Sequence, residues 1–254
     1  MTIRVAVAGA TGKMGQLALR LIEAAEDLEL HAGLSSRSSL DELDGADVVL
    51  DVTHPASSEG IVRHAVDRGI PAVVGTSGWS SERIAGIAAH RRDAGAGSAV
   101  LFIPNFSIGS VLGTALAAIA APYFESIEIV EAHHAGKVDS PSGTAVRTAE
   151  VIADRRGDRP VQAPHADQRA RGQLVAGIPL HSLRMSGIVA EQRVVLGGVG
   201  ETLTVMHSTV SSSSYEAGIL LALRRAPATD GIVVGLDALL GLDALLALDL
   251  PAGP

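Results

Sequence analysis

Short apolar runs and amphipathic stretches alternate along the N-terminal part of the chain. The runs at 5–8, 28–34, 47–52, 70–74 and 99–103 are rich in Val, Ile, Leu and Ala and have the length of buried strands. Between them, Met14, Leu17, Ala18, Leu21, Ile22 and Ala25 recur at helical spacing, and so do Ile61, Val62, Ala65 and Val66. Gly69 is placed to stop the second of these helices, and Ser80 or Ser81 followed by Glu82 opens a third. Strand and helix in this rhythm predict a parallel sheet with crossover helices.

Beyond Gly109 the pattern changes. A helix of small residues to 120 leads to a strand at 127–130, and after Ser142 to a helix through Ala145, Thr148, Ala149 and Ile152. Residues 155–172 are polar, contain Pro160 and Pro164, and read as a loop. Runs at 178–184, 188–196 and 201–206 alternate or carry β-branched residues, with Gly197, Gly198 and Gly200 among them, which predicts antiparallel strands. A helix follows at 215–224. The tail then repeats one hexapeptide at 235–240 and 241–246, expected to be helical and without chemistry. The fold class is thus α/β, a Rossmann-type parallel-sheet domain plus a second α+β domain with a mixed or antiparallel sheet.

Composition narrows the function classes. Of 254 residues 47% are hydrophobic and only 2% aromatic, so the core must be built from aliphatic side chains. No apolar run reaches the ~18 residues of a membrane span, and the chain enters an apolar strand at once without a signal-peptide pattern. The absence of cysteine excludes disulfides, redox dithiols and thiolate zinc sites. A net charge of -8 argues against non-specific nucleic-acid binding. The expectation is a cytoplasmic protein with a small-molecule ligand, no nucleic-acid partner and no membrane partner.

Candidate chemistry lies at the strand ends. The first strand runs into Gly9-Ala-Thr-Gly-Lys-Met-Gly15, and a strand, a glycine turn and a helix together predict a dinucleotide site at Gly9, Ala10, Thr11, Gly12, Lys13 and Met14. Where an acid would bind the adenosine ribose of NADH, the second strand ends instead in Ser35-Ser-Arg37. Ser35 and Arg37 can meet a 2′-phosphate, so NADPH is the expected cofactor, with NADH the other possibility. The densest chemistry is the stretch Glu131-Ala-His-His-Ala-Gly-Lys-Val-Asp-Ser-Pro-Ser-Gly-Thr-Ala145, placed on a strand-to-helix loop. Ser142 is a plausible helix cap, which leaves the Gly143 and Thr144 amides as an anion site. Only two of the 20 basic residues are lysine, Lys13 and Lys137, and both sit in glycine-marked loops. Lysine can give up a proton where arginine cannot. Asp139 can orient Lys137 or cap the loop. A metal held by His133 and His134 is the weaker reading, since adjacent strand residues face opposite ways; a structural histidine pair stays open. His64 and His90 read as surface residues.

The 131–145 stretch resembles the signature of the bacterial 4-hydroxy-tetrahydrodipicolinate reductase (dihydrodipicolinate reductase) family, with Ala135-Gly136 in place of a bulkier pair. The likeness extends through the glycine loop, Asp51-Val-Thr53, Gly75-Thr-Ser77, Pro104-Asn-Phe106 and Gly200-Glu-Thr-Leu-Thr204. It implies NAD(P)H-dependent reduction of 4-hydroxy-tetrahydrodipicolinate in diaminopimelate and lysine biosynthesis, with His133 and Lys137 as proton-donor candidates. The two carboxylates of that substrate would lie on Gly143 and Thr144 and near His134 and Lys137. It adds Gly75, Thr76, Ser77, Ile103, Pro104, Asn105 and Phe106 as cofactor contacts. It also implies a homotetramer, a dinucleotide domain of residues 1–106 and 215–254, and a substrate-binding and oligomerisation domain of 107–214. A nicotinamide-sensing regulator without turnover is the other class, supported only by the Ala135-Gly136 change.

Overall fold

The computed structural model describes residues 2–95 and 97–242. These form two compact units, Met1–Phe106 with Tyr215–Leu239, and Ser107–Ser214 with the described residues 240–242. The second copy of the tail repeat lies, from residue 243, outside the described residues.

The first unit is a parallel sheet. Its strands, numbered in chain order, are β1 (Ile3–Ala8), β2 (Leu28–Leu34), β3 (Val48–Asp51), β4 (Ala72–Val74), β5 (Val100–Phe102) and β11 (Ile232–Val234), arranged β11-β5-β4-β3-β1-β2. β3, β4 and β5 are buried at every position, which is why they read as continuous apolar runs rather than alternating ones. α1 (Lys13–Ala24), α2 (Pro55–Asp67) and α3 (Ser81–Asp93) are the crossovers, and α6 (Glu216–Arg225) packs against α1. On one face Ile61, Val62, Ala65 and Val66 of α2 and Ile87 of α3 close over Ala6, Ala8, Val49, Val74 and Phe102. Each buried Val, Leu or Ile there contributes roughly 1.5–3 kcal/mol. The third helix is capped by Ser80, whose hydroxyl accepts the Arg83 amide. His64 and His90 are half-buried rather than surface residues, each paired with an acid, Asp44 at 3.1 Å and Asp67 at 2.7 Å.

The second unit carries a mixed sheet, β10-β9-β6-β8-β7. Its strands are β6 (Ser126–His133), β7 (Gln173–Val175), β8 (Ile178–Arg184), β9 (Ala190–Gly198) and β10 (Glu201–Thr209). β9 runs antiparallel to β6 and β10, but β8 runs parallel to β6, against the antiparallel expectation. The reason is the connection: α5 (Gly143–Arg156) is a crossover that returns the chain in its original direction. With α4 (Ile108–Ala120), α5 covers Ile127, Ile129, Ile178, Leu180, Val194 and Leu196. β7 and β11 escape the sequence pattern because, unlike the equally short β4 and β5, they have no fully buried residue. β7 is held in a hairpin whose turn residues, Ala176 and Gly177, both have positive φ, the geometry that matches strand twist. The polar segment from 155 is shortened by α5, which runs on to Arg156, and contains a single turn at Arg169–Arg171. No helix among the described residues is long and apolar enough to cross a membrane.

Two helical glycines separate backbone entropy from packing. At Gly218, in α6, an added Cβ would overlap the Phe106 carbonyl oxygen, while at Gly60, in α2, it would meet nothing within 4 Å. Gly218→Ala is expected to cost about 1–3 kcal/mol or more through overpacking, and Gly60→Ala to stabilise by about 0.5–1 kcal/mol. Thermal unfolding of both variants against wild type checks the pair: opposite shifts in Tm, about 2–4 °C per kcal/mol, are the expected result.

Candidate active site

In the first unit the loops at the carboxyl ends of β1, β2, β3 and β4 meet through backbone contacts that only small residues allow. Gly9 has φ +88°, and a Cβ there would lie 2.5 Å from the Val52 carbonyl oxygen. The amides of Gly9 and Ala10 both donate to the Leu34 carbonyl at 3.0 Å, so Ser35 leaves β2 directly beside the glycine loop. Gly12 is the N-cap of α1 with no side-chain cap and no acid in the first turn. An uncapped helix start behind a glycine turn fits the pyrophosphate of a dinucleotide, because its amides are donors and its dipole end is positive. Thr11 and Lys13 are exposed, and Met14 is half-buried. At the end of β2 the Ser35 hydroxyl accepts the Arg37 amide at 3.3 Å, and the exposed Arg37 guanidinium has no acidic partner among the described residues. The nearest acid beyond β2, Asp41, lies 3.6 Å from Arg68.

Asp51, at the end of β3, is fully buried and makes no salt bridge among the described residues. Its carboxylate accepts from the Thr53 amide at 3.1 Å, the Thr76 hydroxyl at 3.0 Å, and the hydroxyls of Thr53 and Ser58. Ser58 also accepts the Trp79 indole N–H at 3.1 Å. One carboxylate thereby ties the end of β3, the first turn of α2 and the Gly75-Thr-Ser77 loop. Thr76 is buried in this cluster, Ser77 is exposed, and Gly75 has no room for a side chain against the Phe106 ring. In the next stretch Ile103 and Phe106 are core residues, so only Pro104 and Asn105 reach the surface with their side chains.

In the second unit β6 extends through His133, past the apolar run at 127–130. Glu131 and His133 therefore sit on the strand itself, two apart and on one face. His133 Nδ1 lies 2.6 Å from the buried Glu131 carboxylate. An ionised carboxylate only accepts, so Nδ1 carries the hydrogen and Nε2 is the ring atom left for chemistry. Arg184, opposite His133 in the β6–β8 register, forks onto both Glu131 oxygens at 2.9 Å and donates to the Asp139 carbonyl at 2.6 Å. Burial pushes the Glu131 carboxyl up, but the bonds from Arg184, Ser182, His133 and the Ser142 amide outweigh it and hold it below the usual glutamate value. For His133 burial lowers the imidazolium pKa, Glu131 opposes that, and Lys137 and Arg184 add to it; the outcome lies below the ordinary histidine value. Lys137 Nζ pairs with Asp139 at 2.7 Å. His134 is exposed, and its carbonyl accepts the Lys137 amide at 3.1 Å, closing a turn over Ala135 and Gly136. A Cβ at Gly136 would stand 3.4 Å from His134 Nδ1, an ordinary contact. Ser142 caps α5 by accepting the Ala145 amide at 3.3 Å, and nothing lies within 4 Å of the Cβ position at Gly143.

Two family models cover nearly the whole chain: dihydrodipicolinate reductase, N-terminus, over residues 3–106, and dihydrodipicolinate reductase, C-terminus, over residues 109–240. The chain belongs to the dihydrodipicolinate reductase family. It is 58% identical over 242 residues to the 4-hydroxy-tetrahydrodipicolinate reductase of Clavibacter sepedonicus, covering 94% of this chain and 87% of that one. The Mycolicibacterium smegmatis reductase is 44% identical over 246 residues, 94% of this chain and 99% of the other. Among solved structures, the dipicolinate-bound dihydrodipicolinate reductase of Paenisporosarcina sp. TG-14 superposes with a TM-score of 0.82 at 31% identity, covering 94% of this chain and 99% of that one.

Asp51, Glu131 and Arg184 have no role assigned by the sequence, although Asp51 and Glu131 stand in the family-matching stretches. A Glu-x-His pair on a strand is a local signal for the second, because residues two apart share a face. Asp51 and Arg184 find partners far along the chain and leave no local trace. Asp51→Ala would leave buried donors without an acceptor, at about 1–3 kcal/mol for each donor that water does not reach. Trp79, the one tryptophan of the chain, reports on that cluster through Ser58. The expected outcome is a lower Tm together with a shifted Trp79 emission maximum; an unchanged spectrum and Tm would show that the cluster does not depend on Asp51.

Proposed function

We propose that His133 and Lys137 supply the proton, and that Ser35 and Arg37 favour NADPH over NADH, in the reaction that family membership establishes. That reaction is the reduction of 4-hydroxy-tetrahydrodipicolinate to tetrahydrodipicolinate in diaminopimelate and lysine biosynthesis. A bound nicotinamide cofactor supplies the hydride. The observation that carries the reading is the second-unit loop, where an imidazole, an ammonium and a helix start stand within one short stretch. Hydride addition to a conjugated ring leaves electron density that a proton must quench, and a positioned acid typically contributes ~10²–10⁴-fold. Lys137, held by Asp139, keeps an ammonium at the loop. As an imidazolium His133 gives the proton on Nε2 and is left neutral, its Nδ1–H still held by Glu131. The start of α5 at Gly143 and Thr144 suits one substrate carboxylate, and His134 with Lys137 the second; pyridine-2,6-dicarboxylate should compete for the same groups. The glycine loop, Gly75-Thr-Ser77 and 103–106 are the cofactor contacts in this reading. Assembly as a cytoplasmic homotetramer through the second sheet completes it, supported by Leu183 and Met206, 42% and 49% exposed on the face turned away from α4 and α5.

His133→Ala and Lys137→Ala should each lower kcat by ~10²-fold or more while the dissociation constant for NADPH stays near wild type. Substrate freshly generated by the preceding synthase serves for the assay. A variant that kept most of its kcat would remove that residue from the proton-donor role.

Cofactor choice is tested on the first unit. Loss of a charge-assisted bond to the 2′-phosphate is about 1.5–3 kcal/mol, so Arg37→Ala should shift the NADPH-to-NADH affinity ratio by roughly tenfold or more toward NADH. Dissociation constants for both cofactors, from titration of nicotinamide fluorescence, decide it independently of turnover. An unchanged ratio would place Arg37 outside the site.

A further inference from the structure

The second unit holds one buried charge cluster whose organising cation has no assigned role. Glu131 is 0% exposed, and a carboxylate sealed from water is tolerable only when its charge is balanced and its lone pairs are met. Besides the Ser182 hydroxyl, four donors divide its two oxygens. Oε2 takes His133 Nδ1 at 2.6 Å and Arg184 Nη1 at 2.9 Å, and Oε1 takes Arg184 Nη2 at 2.9 Å and the Ser142 amide at 3.2 Å. The same guanidinium donates to the carbonyl of Asp139, whose carboxylate holds Lys137. His133 and Arg184 are register partners on parallel strands, as are Glu131 and Ser182, so the cluster is rooted in the sheet rather than in the loop.

We propose that Arg184 is a positioning residue for both candidate proton donors. Its guanidinium locks the carboxylate that orients the His133 ring, and it pins the main chain at Asp139, which carries the partner of Lys137. The proposal rests on the reading of His133 and Lys137 as proton donors. A lysine cannot replace this fork, because an ammonium is a point charge with no planar pair of N–H groups. The charged groups that face His133 are Glu131 on its own strand, Arg184 on β8, and Lys137 with Asp139 in the loop. On β9 its register partner is Ala190, and the neighbouring Glu191 pairs in register with Ala132. Removing Arg184 and removing Glu131 must therefore move the His133 titration in opposite directions. Without the guanidinium the imidazolium faces an unbalanced carboxylate and is favoured; without the carboxylate it faces only cations and is disfavoured.

The test is histidine NMR on the full chain labelled at 13Cε1, with His133→Asn identifying the resonance, alongside kcat and the NADPH dissociation constant. Arg184→Gln should raise the His133 midpoint by about one pH unit, and Glu131→Gln should lower it. Arg184→Gln should also reduce kcat roughly tenfold or more, since misplacement by an ångström can cost ~10²-fold, while NADPH affinity stays within about twofold. Arg184→Lys should recover only part of kcat. Should Arg184→Gln fail to fold, Arg184→Lys carries the same test: wild-type kcat in that variant overturns the proposal. So does an unmoved His133 midpoint in folded Arg184→Gln. If instead the midpoint moves as expected but His133→Ala and Lys137→Ala keep their kcat, the positioning cluster stands and the proton-donor reading falls.

Discussion

A carboxylate sealed inside a protein has to be met on every lone pair, and that constraint organises both units. Asp51 closes β3 and Glu131 lies near the end of β6, and both are fully buried. An unmet buried carboxylate would cost several kcal/mol or take up a proton. Each therefore gathers donors from segments that the chain would otherwise leave independent. The strands are the fixed part, and the loops are drawn to them.

The two clusters are built from different donors, and the difference matters. Asp51 is met by three hydroxyls and an amide. Such a cluster holds no imidazole, and its effect is rigidity of the strand ends. Glu131 is met by a guanidinium fork, an imidazole, the Ser182 hydroxyl and the amide of a helix cap. There the partner is a histidine, the side chain whose charge changes in the physiological range. Holding that ring and setting its charge are one act, because the bond that orients Nδ1 also stabilises the proton on it. The low aromatic content suits both arrangements, since small aliphatic side chains let strands, helices and glycine loops approach closely.

Legibility followed the range of the interactions. β2 and β8 begin and end where the apolar runs do; in β2 the two end residues, Leu28 and Leu34, are buried, and in β8 the first three. Ser80 and Ser142 cap α3 and α5 as their spacing predicts, because a cap is satisfied within three residues. β6 reads short, since its last residues are polar and only their ladder with β8 and β9 keeps them extended. The parallel pairing of β8 was not legible either. Alternation says which face of a strand is buried and nothing about which neighbour it pairs with, or in which direction.

What the sequence by itself determined are the matters decided between near neighbours or by composition. These are the Rossmann-type sheet, a second α+β unit, the glycine turn into α1, the capped start of α5, and a signature long enough to mark the family. Only the tertiary structure decided which polar groups meet. Arg184 stands 53 residues from Glu131, and Thr76 stands 25 from Asp51. Nothing in the residues between encodes those distances. They close because strand register and sheet order bring the segments together, and because a buried charge leaves no other stable arrangement once they are there.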